Sequence, residues 1–237
     1  MTKHIHHAPH FDLLYDDTHR DGVVDEIVVQ GHAFFDPFLK RPYDDWVHSD
    51  SVVVEVGAHA GTHTLYLSKR AAKVIAFEPQ LPLFTHLCAN LWLNDCRNVE
   101  PHRVALAAKP MVMKPNVHES AYWQSTAKAG ISFSETGNPA DFGAVEGRTL
   151  DSYAFPRVDF LKVDAESNDL HVLEGAIETI ARCRPIIAYE DGEERTGPFH
   201  HLLDPLGYVF SRMERSNFLC VPDSRAPELR GSTAFCA

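Results

Sequence analysis

The chain lacks any apolar run approaching the ~18 residues of a membrane-spanning helix. Met1 to His10 carries no long apolar stretch either, so nothing there reads as a signal peptide. Cysteine is scarce, and Cys88, Cys96, Cys183, Cys220 and Cys236 form an odd set without CxxC spacing. That pattern argues against a disulfide scaffold and a cysteine-built zinc site, and it points to a reduced, cytoplasmic compartment. Positive charge is in short supply. Lys and Arg total 22 against 33 Asp and Glu, which leaves the 237 residues at −11 with histidines neutral. Nucleic-acid recognition depends largely on Lys and Arg neutralising phosphates, so this balance argues against a nucleic-acid partner. No GxxxxGK[ST] occurs, which leaves a P-loop nucleotide site unsupported.

What is present is an ordinary globular composition, 44% hydrophobic and 23% charged. The length suits one large domain or one domain with additions. The fifteen histidines are many, and their partial protonation below about pH 6.5 would cancel much of the net charge. Four of them (His4, His6, His7 and His10) crowd the start. They suggest either a metal-binding tail or, as favoured here, a mobile polar terminus.

A regular rhythm begins at residue 51. SVVVEV (51–56) is a short β-branched run stopped by Gly57, as expected of a strand buried on both faces. Further strands are expected at 73–78, 98–106, 158–164 and 185–190, with helices between them at 62–71, 82–94 and 170–180. Strands alternating with amphipathic helices imply βαβ units and a mostly parallel sheet. YVFSRM and NFLCVP after Gly207 read as a closing hairpin. Residues 23–30 look like another short strand, and Asp36 to Trp46 like a helix or turn broken by Pro37 and Pro42. Residues 107–148 show no clear period and read as an irregular lobe or lid. The expected division is therefore an N-terminal extension at 1–49, a main domain at 50–222 with its insertion at 107–148, and a tail at 223–237.

GAHAG (57–61) joins the first strand of this series to its helix, and Glu78 ends the second strand. Ligands of parallel α/β sheets lie beyond the carboxyl ends of the strands, where the strand order reverses. Gly57 and Gly61 are expected to let the backbone turn and approach a ligand. Glu78 falls at the spacing of a carboxylate that accepts hydrogen bonds from ribose hydroxyls. In the dinucleotide fingerprint GxGxxG the middle glycine admits a pyrophosphate; His59 stands there, which disfavours NAD. S-adenosylmethionine has adenosine without phosphate and suits glycines at 57 and 61 alone.

EVGAHAGTHTLYLS, VIAFEPQ and DFLKVDAESNDLHVLEGA, in this order, resemble the FkbM-like family of S-adenosylmethionine-dependent methyltransferases. The likeness runs from about residue 50 to 222, and TLDSY (149–153), LGYVF and NFLCVP extend it. It implies an α/β, Rossmann-like, seven-stranded, mostly parallel sheet with one antiparallel strand and helices on both faces. It further implies transfer of a methyl group, usually to a hydroxyl of a small molecule such as a sugar or secondary metabolite. On this basis Glu55, Gly57, Ala58, His59, Gly61 and Thr62 would contact the cofactor, and Glu78 with Pro79 would hold its ribose. Asp164 would face the methionine amino group or the acceptor. The chain departs from the family pattern at Glu55 and His59, where Asp and Asn are usual. It departs again after the fourth strand, where DxEGxE is replaced by Asp164, Glu166, Ser167 and Asp169. Ser167, in place of glycine, is expected to cap the following helix.

Methyl transfer from a sulfonium is an in-line displacement that gains most from alignment, and a hydroxyl acceptor must also lose a proton. Lys162, Asp164, Glu166 and His63 are the candidates for that chemistry, with Glu190 and His59 close in the pattern. Alternation puts Lys162 and Asp164 on one face of their strand, where they can equally form an ion pair. No ligand spacing demands a metal. Tyr122 and Trp123 in the lobe either stack on an acceptor or belong to a local core. The rival readings are a nucleic-acid ribose methyltransferase, opposed by the charge, and a non-catalytic cofactor-binding module, supported only by Ser167.

Overall fold

In the computed structural model of the chain, the described residues are 3–8, 10–16, 27–28, 36–124, 130–191, 196–214 and 216–226. The chain starts with an antiparallel hairpin of β1 (Lys3–His7) and β2 (Asp12–Asp16). A single 3-10 turn at Pro37–Leu39 then leads into α1 (Lys40–Trp46). The alternating core follows as β3 (Val52–Val56), α2 (Thr62–Ser68), β4 (Lys73–Phe77), α3 (Leu81–Leu93) and β5 (Val99–His102). The lobe contributes β6 (Ala105–Leu106), β7 (Met111–Pro115), α4 (Glu119–Gln124), β8 (Phe133–Glu135) and β9 (Val145–Arg148). The alternation resumes with β10 (Phe160–Val163), α5 (Asp169–Glu174), α6 (Ile177–Cys183), β11 (Ile186–Glu190) and α7 (Thr196–Leu203). It closes on β12 (Tyr208–Arg212) and β13 (Asn217–Pro222).

Among the described residues the main sheet has seven strands in the order β12-β13-β11-β10-β3-β4-β5. Every pairing from β11 to β5 is parallel, while β13 runs antiparallel to both β11 and β12. The expected Rossmann-like sheet with one antiparallel strand is therefore present. Its strands are buried because both faces are covered. Alternate residues (Val53, Val74, Phe160, Ile186) pack with Tyr43, Trp46, Leu65, Leu87 and Leu91 on one side. The intervening ones (Val54, Ile75, Leu161, Ile187) meet Val172, Leu173, Ile180 and Leu203 on the other. Full burial of one such side chain contributes about 1.5–3 kcal/mol, which makes this double layer the main source of stability.

Four expectations need correction. The strand read over 98–106 is two: β5 ends at His102, and β6 joins a separate four-stranded sheet in the order β6-β9-β7-β8. The lobe at 107–148 is thus ordered around its own small core of Ala107, Met113, Tyr122, Ile131, Phe133 and Val145. Its strands are two to five residues long, too short for a period of two to stand out. The helix read over 170–180 breaks at Gly175, where a Cβ would lie 2.1 Å from the Ala107 carbonyl oxygen. The histidine-rich start is also folded. Phe11 and Leu13 are buried in the main core, and His4 stacks on Tyr15. The amides of Asp12 and Leu14 donate to the side-chain oxygens of Asn94 and Asn90 on α3. The strand expected at 23–30 lies outside the described residues except for Ile27 and Val28, which are helical.

Candidate active site

β3 and β10 are neighbours in the sheet, yet the chain leaves β3 towards β4 and leaves β10 towards β11. This is the switch point at which α/β sheets open a crevice. A cavity of about 430 Å3 lies there, within the roughly 300–1,000 Å3 of small-molecule sites. Gly57, Ala58, His59, Thr62, His63, Glu78, Pro79, Lys162, Asp164 and Glu166 line it. Glu55 and Gly61 do not.

The turn after β3 is set by packing. Gly57 has φ of 75°, and a Cβ there would lie 1.8 Å from the backbone oxygen of Asp164. Glycine is therefore required by the close approach of β3 to β10, before any ligand is considered. Gly61, at φ of 93°, is the N-cap of α2, and its missing Cβ makes room for Leu87 on α3. Between the two glycines His59 adopts φ of 54°. Its amide donates to Glu78 Oε2 at 2.9 Å, and the amide of Gln80 donates to Oε1 at 2.8 Å. Both oxygens of Glu78 are thus fixed by backbone donors, each retaining capacity to accept another bond. Burial raises the Glu78 carboxyl above its ordinary range, while those two amides pull it back.

One layer below, Lys162 and Glu55 sit in register on adjacent strands, 2% and 0% exposed. Lys162 Nζ reaches Asp164 Oδ2 at 3.1 Å. Burial opposes the ammonium, but Asp164 and then Glu55 overcome it and hold Lys162 above the usual lysine range. Glu55 Oε2 accepts from the Thr64 hydroxyl at 2.7 Å, and Oε1 has no hydrogen-bond partner among the described residues. Burial pushes this carboxyl up to about 7, against the pull of Lys162 and the Thr64 hydroxyl. His63 Nδ1 lies 3.1 Å from the hydroxyl of Tyr43, a residue buried on α1. Burial, followed by the charge of Lys162, holds the imidazole well below its ordinary pKa and hence neutral.

The segment after β10 departs from its expected role. Ser167 does not cap α5; Asn168 is the N-cap, and Glu166 and Ser167 both lie in the left-handed region at φ of 50° and 71°. Two consecutive positive φ values turn the chain sharply enough to put the Glu166 carboxylate under the lobe, where Oε1 accepts from the Gly130 amide at 2.7 Å. Burial and the neighbouring Asp164 raise its pKa. Asn168 Nδ2 donates to the Phe133 carbonyl, a second tie to the lobe. Asp169, 2% exposed, accepts from the amides of Ala165 and Glu190 and so braces the ends of β10 and β11. Burial, with Asp164 adding to it, pushes Asp169 up to about 8. Tyr122 belongs to the lobe core, its hydroxyl accepting from the Leu81 amide, and Trp123 is 44% exposed; neither lines the cavity.

Several wall residues had no signal in the sequence: Asp36 and Phe38 before α1, Phe133 on β8, and Glu214 and Asn217 at the final hairpin. Gln80 had one, since it lies two residues after Glu78 and is the N-cap of α3.

A family model for the FkbM methyltransferase domain matches residues 55–211. The chain belongs to the FkbM methyltransferase family. Within it, the chain is 28% identical over 163 residues to methyltransferase sdnD of Sordaria araneosa, a match covering 55% of this chain and 62% of that protein. It thus spans about three fifths of the length of this curated relative. The crystal structure of the methyltransferase FkbM from Methylobacillus flagellatus KT aligns with a TM-score of 0.52 at 16% identity, covering 73% of this chain and 43% of that one. An rRNA methylase from Streptococcus thermophilus aligns with a TM-score of 0.46 at 16% identity, over 79% and 96% of the two chains. No helix among the described residues is long and apolar enough to cross a membrane.

Proposed function

We propose that the chain is an S-adenosylmethionine-dependent methyltransferase that methylates a hydroxyl of a small molecule. The observation that carries this reading is Glu78, a buried carboxylate whose two oxygens are oriented by the amides of His59 and Gln80 on the wall of the switch-point cavity. It is suited to accept from the paired hydroxyls of a ribose. The rest of the wall fits the same cofactor. Asp164 offers a carboxylate to an amino group, and the acidic surroundings favour a cation. S-adenosylmethionine, when bound, supplies a methyl group on a positively charged sulfur.

Lys162 is committed as a cation between Asp164 and Glu55, so its role in this proposal is to hold Asp164 in place. Glu166 is the better proton acceptor, because its raised pKa makes it a stronger base than an ordinary carboxylate. Glu166 would take the proton that the acceptor's hydroxyl loses on methylation. The imidazole of His63 is on the same wall, but burial and the charge of Lys162 make it a poorer proton acceptor than Glu166. The carboxylates around the cavity repel phosphates, which supports a small molecule over RNA as acceptor.

Calorimetry with S-adenosylmethionine and S-adenosylhomocysteine tests the proposal. The unaltered protein is expected to bind both, and failure to bind either overturns the reading. Glu78→Ala should weaken binding by about 1.5–3 kcal/mol, the loss of hydrogen bonds to a charged group. An unchanged affinity would remove Glu78 from the ribose role.

A further inference from the structure

The cavity holds more negative charge than its cofactor neutralises, and this inference rests on the cofactor reading above. Among the described residues, its wall carries six carboxylates (Asp36, Glu78, Asp164, Glu166, Glu190 and Glu214) and one lysine. That lysine is already shared between Asp164 and Glu55. S-adenosylmethionine brings a sulfonium, an ammonium and a carboxylate, a net single positive charge. Its binding leaves the wall strongly acidic.

The order of the sheet places this surplus. Glu78 follows β4, Asp164 and Glu166 follow β10, Glu190 ends β11, and Glu214 lies in the turn between β12 and β13. Read across β4, β3, β10, β11 and β13, the ribose carboxylate is at one end of the row and Glu190 and Glu214 are at the other. Glu190 is held there by the hydroxyl of Ser216, which donates to Oε1 at 3.0 Å. The crowding is felt locally, since Asp164 and Glu190 both add to the burial that raises Glu166. Three phenylalanine rings, Phe38, Phe77 and Phe133, line the same cavity.

The spacing of the acids selects among cations. No group of three His, Cys, Asp or Glu among the described residues is close enough to hold a metal ion. The carboxylates surround a volume of about 430 Å3 instead of converging on a point. Separated carboxylates beside aromatic rings suit an organic ammonium on an apolar body, which gains both ion pairing and contact with ring faces. We propose that the methyl acceptor is a hydroxyl compound bearing a protonated amine, bound with its amine towards Glu190 and Glu214 and its hydroxyl towards Glu166.

Three probes that share a phenol and differ in charge test this: tyramine, 4-hydroxyphenylethanol and 4-hydroxyphenylacetate. They are titrated by calorimetry into the full chain saturated with S-adenosylhomocysteine. Tyramine should bind at least about 10-fold tighter than the neutral alcohol, and the anion most weakly. Raising salt from about 0.05 to 0.5 M should weaken tyramine alone. Glu190→Gln and Glu214→Gln together should narrow the gap. No tyramine binding at millimolar concentration, equal or better binding of the neutral or anionic probe, or a gap unmoved by both substitutions overturns the proposal. Homocysteine-cofactor binding is measured first. Its absence overturns the cofactor reading, whereas its presence without a preference for the cation overturns only the acceptor class.

Discussion

Ser167 adopts a backbone conformation that L residues avoid at a cost of about 1–2 kcal/mol, and it does so on an exposed turn beside Glu166. The family's usual glycine at this place is the residue that would meet no such penalty. Ser167→Gly is therefore expected to raise stability by about 0.5–1 kcal/mol after glycine's greater loss of chain entropy. Urea unfolding measures it, and a loss of stability would mean that the serine side chain makes a contact worth more than the strain. The glycine loop shows how far single residues were legible. Gly57 and Gly61 were recognisable as turn points, and Glu78 as an acid in register with them. Their reasons were not, because the Asp164 carbonyl and Leu87 that exclude a Cβ come from distant segments brought close only by the fold. The same holds for Ser167, whose N-cap expectation rested on residue type without knowledge of φ.

At the level of elements, Asn90 on α3 ties the N-terminal hairpin to the loop after β3. Its oxygen accepts from the Leu14 amide at 2.7 Å, and its nitrogen donates to the Ala60 carbonyl at 2.9 Å. Asn90 is fully buried, so Asn90→Ala leaves an amide and a carbonyl without partners. The expected cost is about 1–3 kcal/mol, with faster hydrogen exchange at the Leu14 amide. Unchanged protection at Leu14 would show that Phe11 and Leu13 dock β2 unaided. Elements were legible in proportion to their apolar content. β3, β4, β10 and β11 are β-branched or aliphatic runs buried on both faces, and such runs declare themselves. The hairpin of β1 and β2 is polar on one side and rich in histidine, so its composition imitated a loose terminus. The lobe strands are short, and their pairing depends on Gly147 fitting between Met111 and Met113, a fit that no periodicity reveals.

For the whole molecule, the buried carboxyls link stability to pH. Glu55 rises from an ordinary 4.5 to about 7 in the fold, and Asp169 from 3.8 to about 8. Each binds a proton more readily when folded, so its contribution is complete below its unfolded pKa and is lost as pH rises through the folded value. His63 acts oppositely, because its lowered pKa favours the folded state above its ordinary range. Comparison with Glu55→Gln isolates one group. The stability of the unaltered protein relative to this variant should fall between about pH 5 and 7, by at most about 1.4 kcal/mol per unit. Unfolding series at several pH values read this difference, and a constant difference would mean that Glu55 stays ionised throughout.

The position of β13 has a consequence for synthesis. It is made after β12 yet lies inside it, bonded to β11 on one side and β12 on the other. A chain still emerging from the ribosome can form β3, β4, β5, β10 and β11 in order, but β12 has no neighbour until residues 217–222 arrive. The later of these two strands is the one that joins the outermost strand to the rest. Glu214, at the acidic end of the cavity, takes its place only at that moment, and Glu190 on β11 gains its Ser216 partner with it. The β4 side of the crevice can thus be assembled before its β13 side, and a nascent chain stopped before Asn217 would have the first without the second.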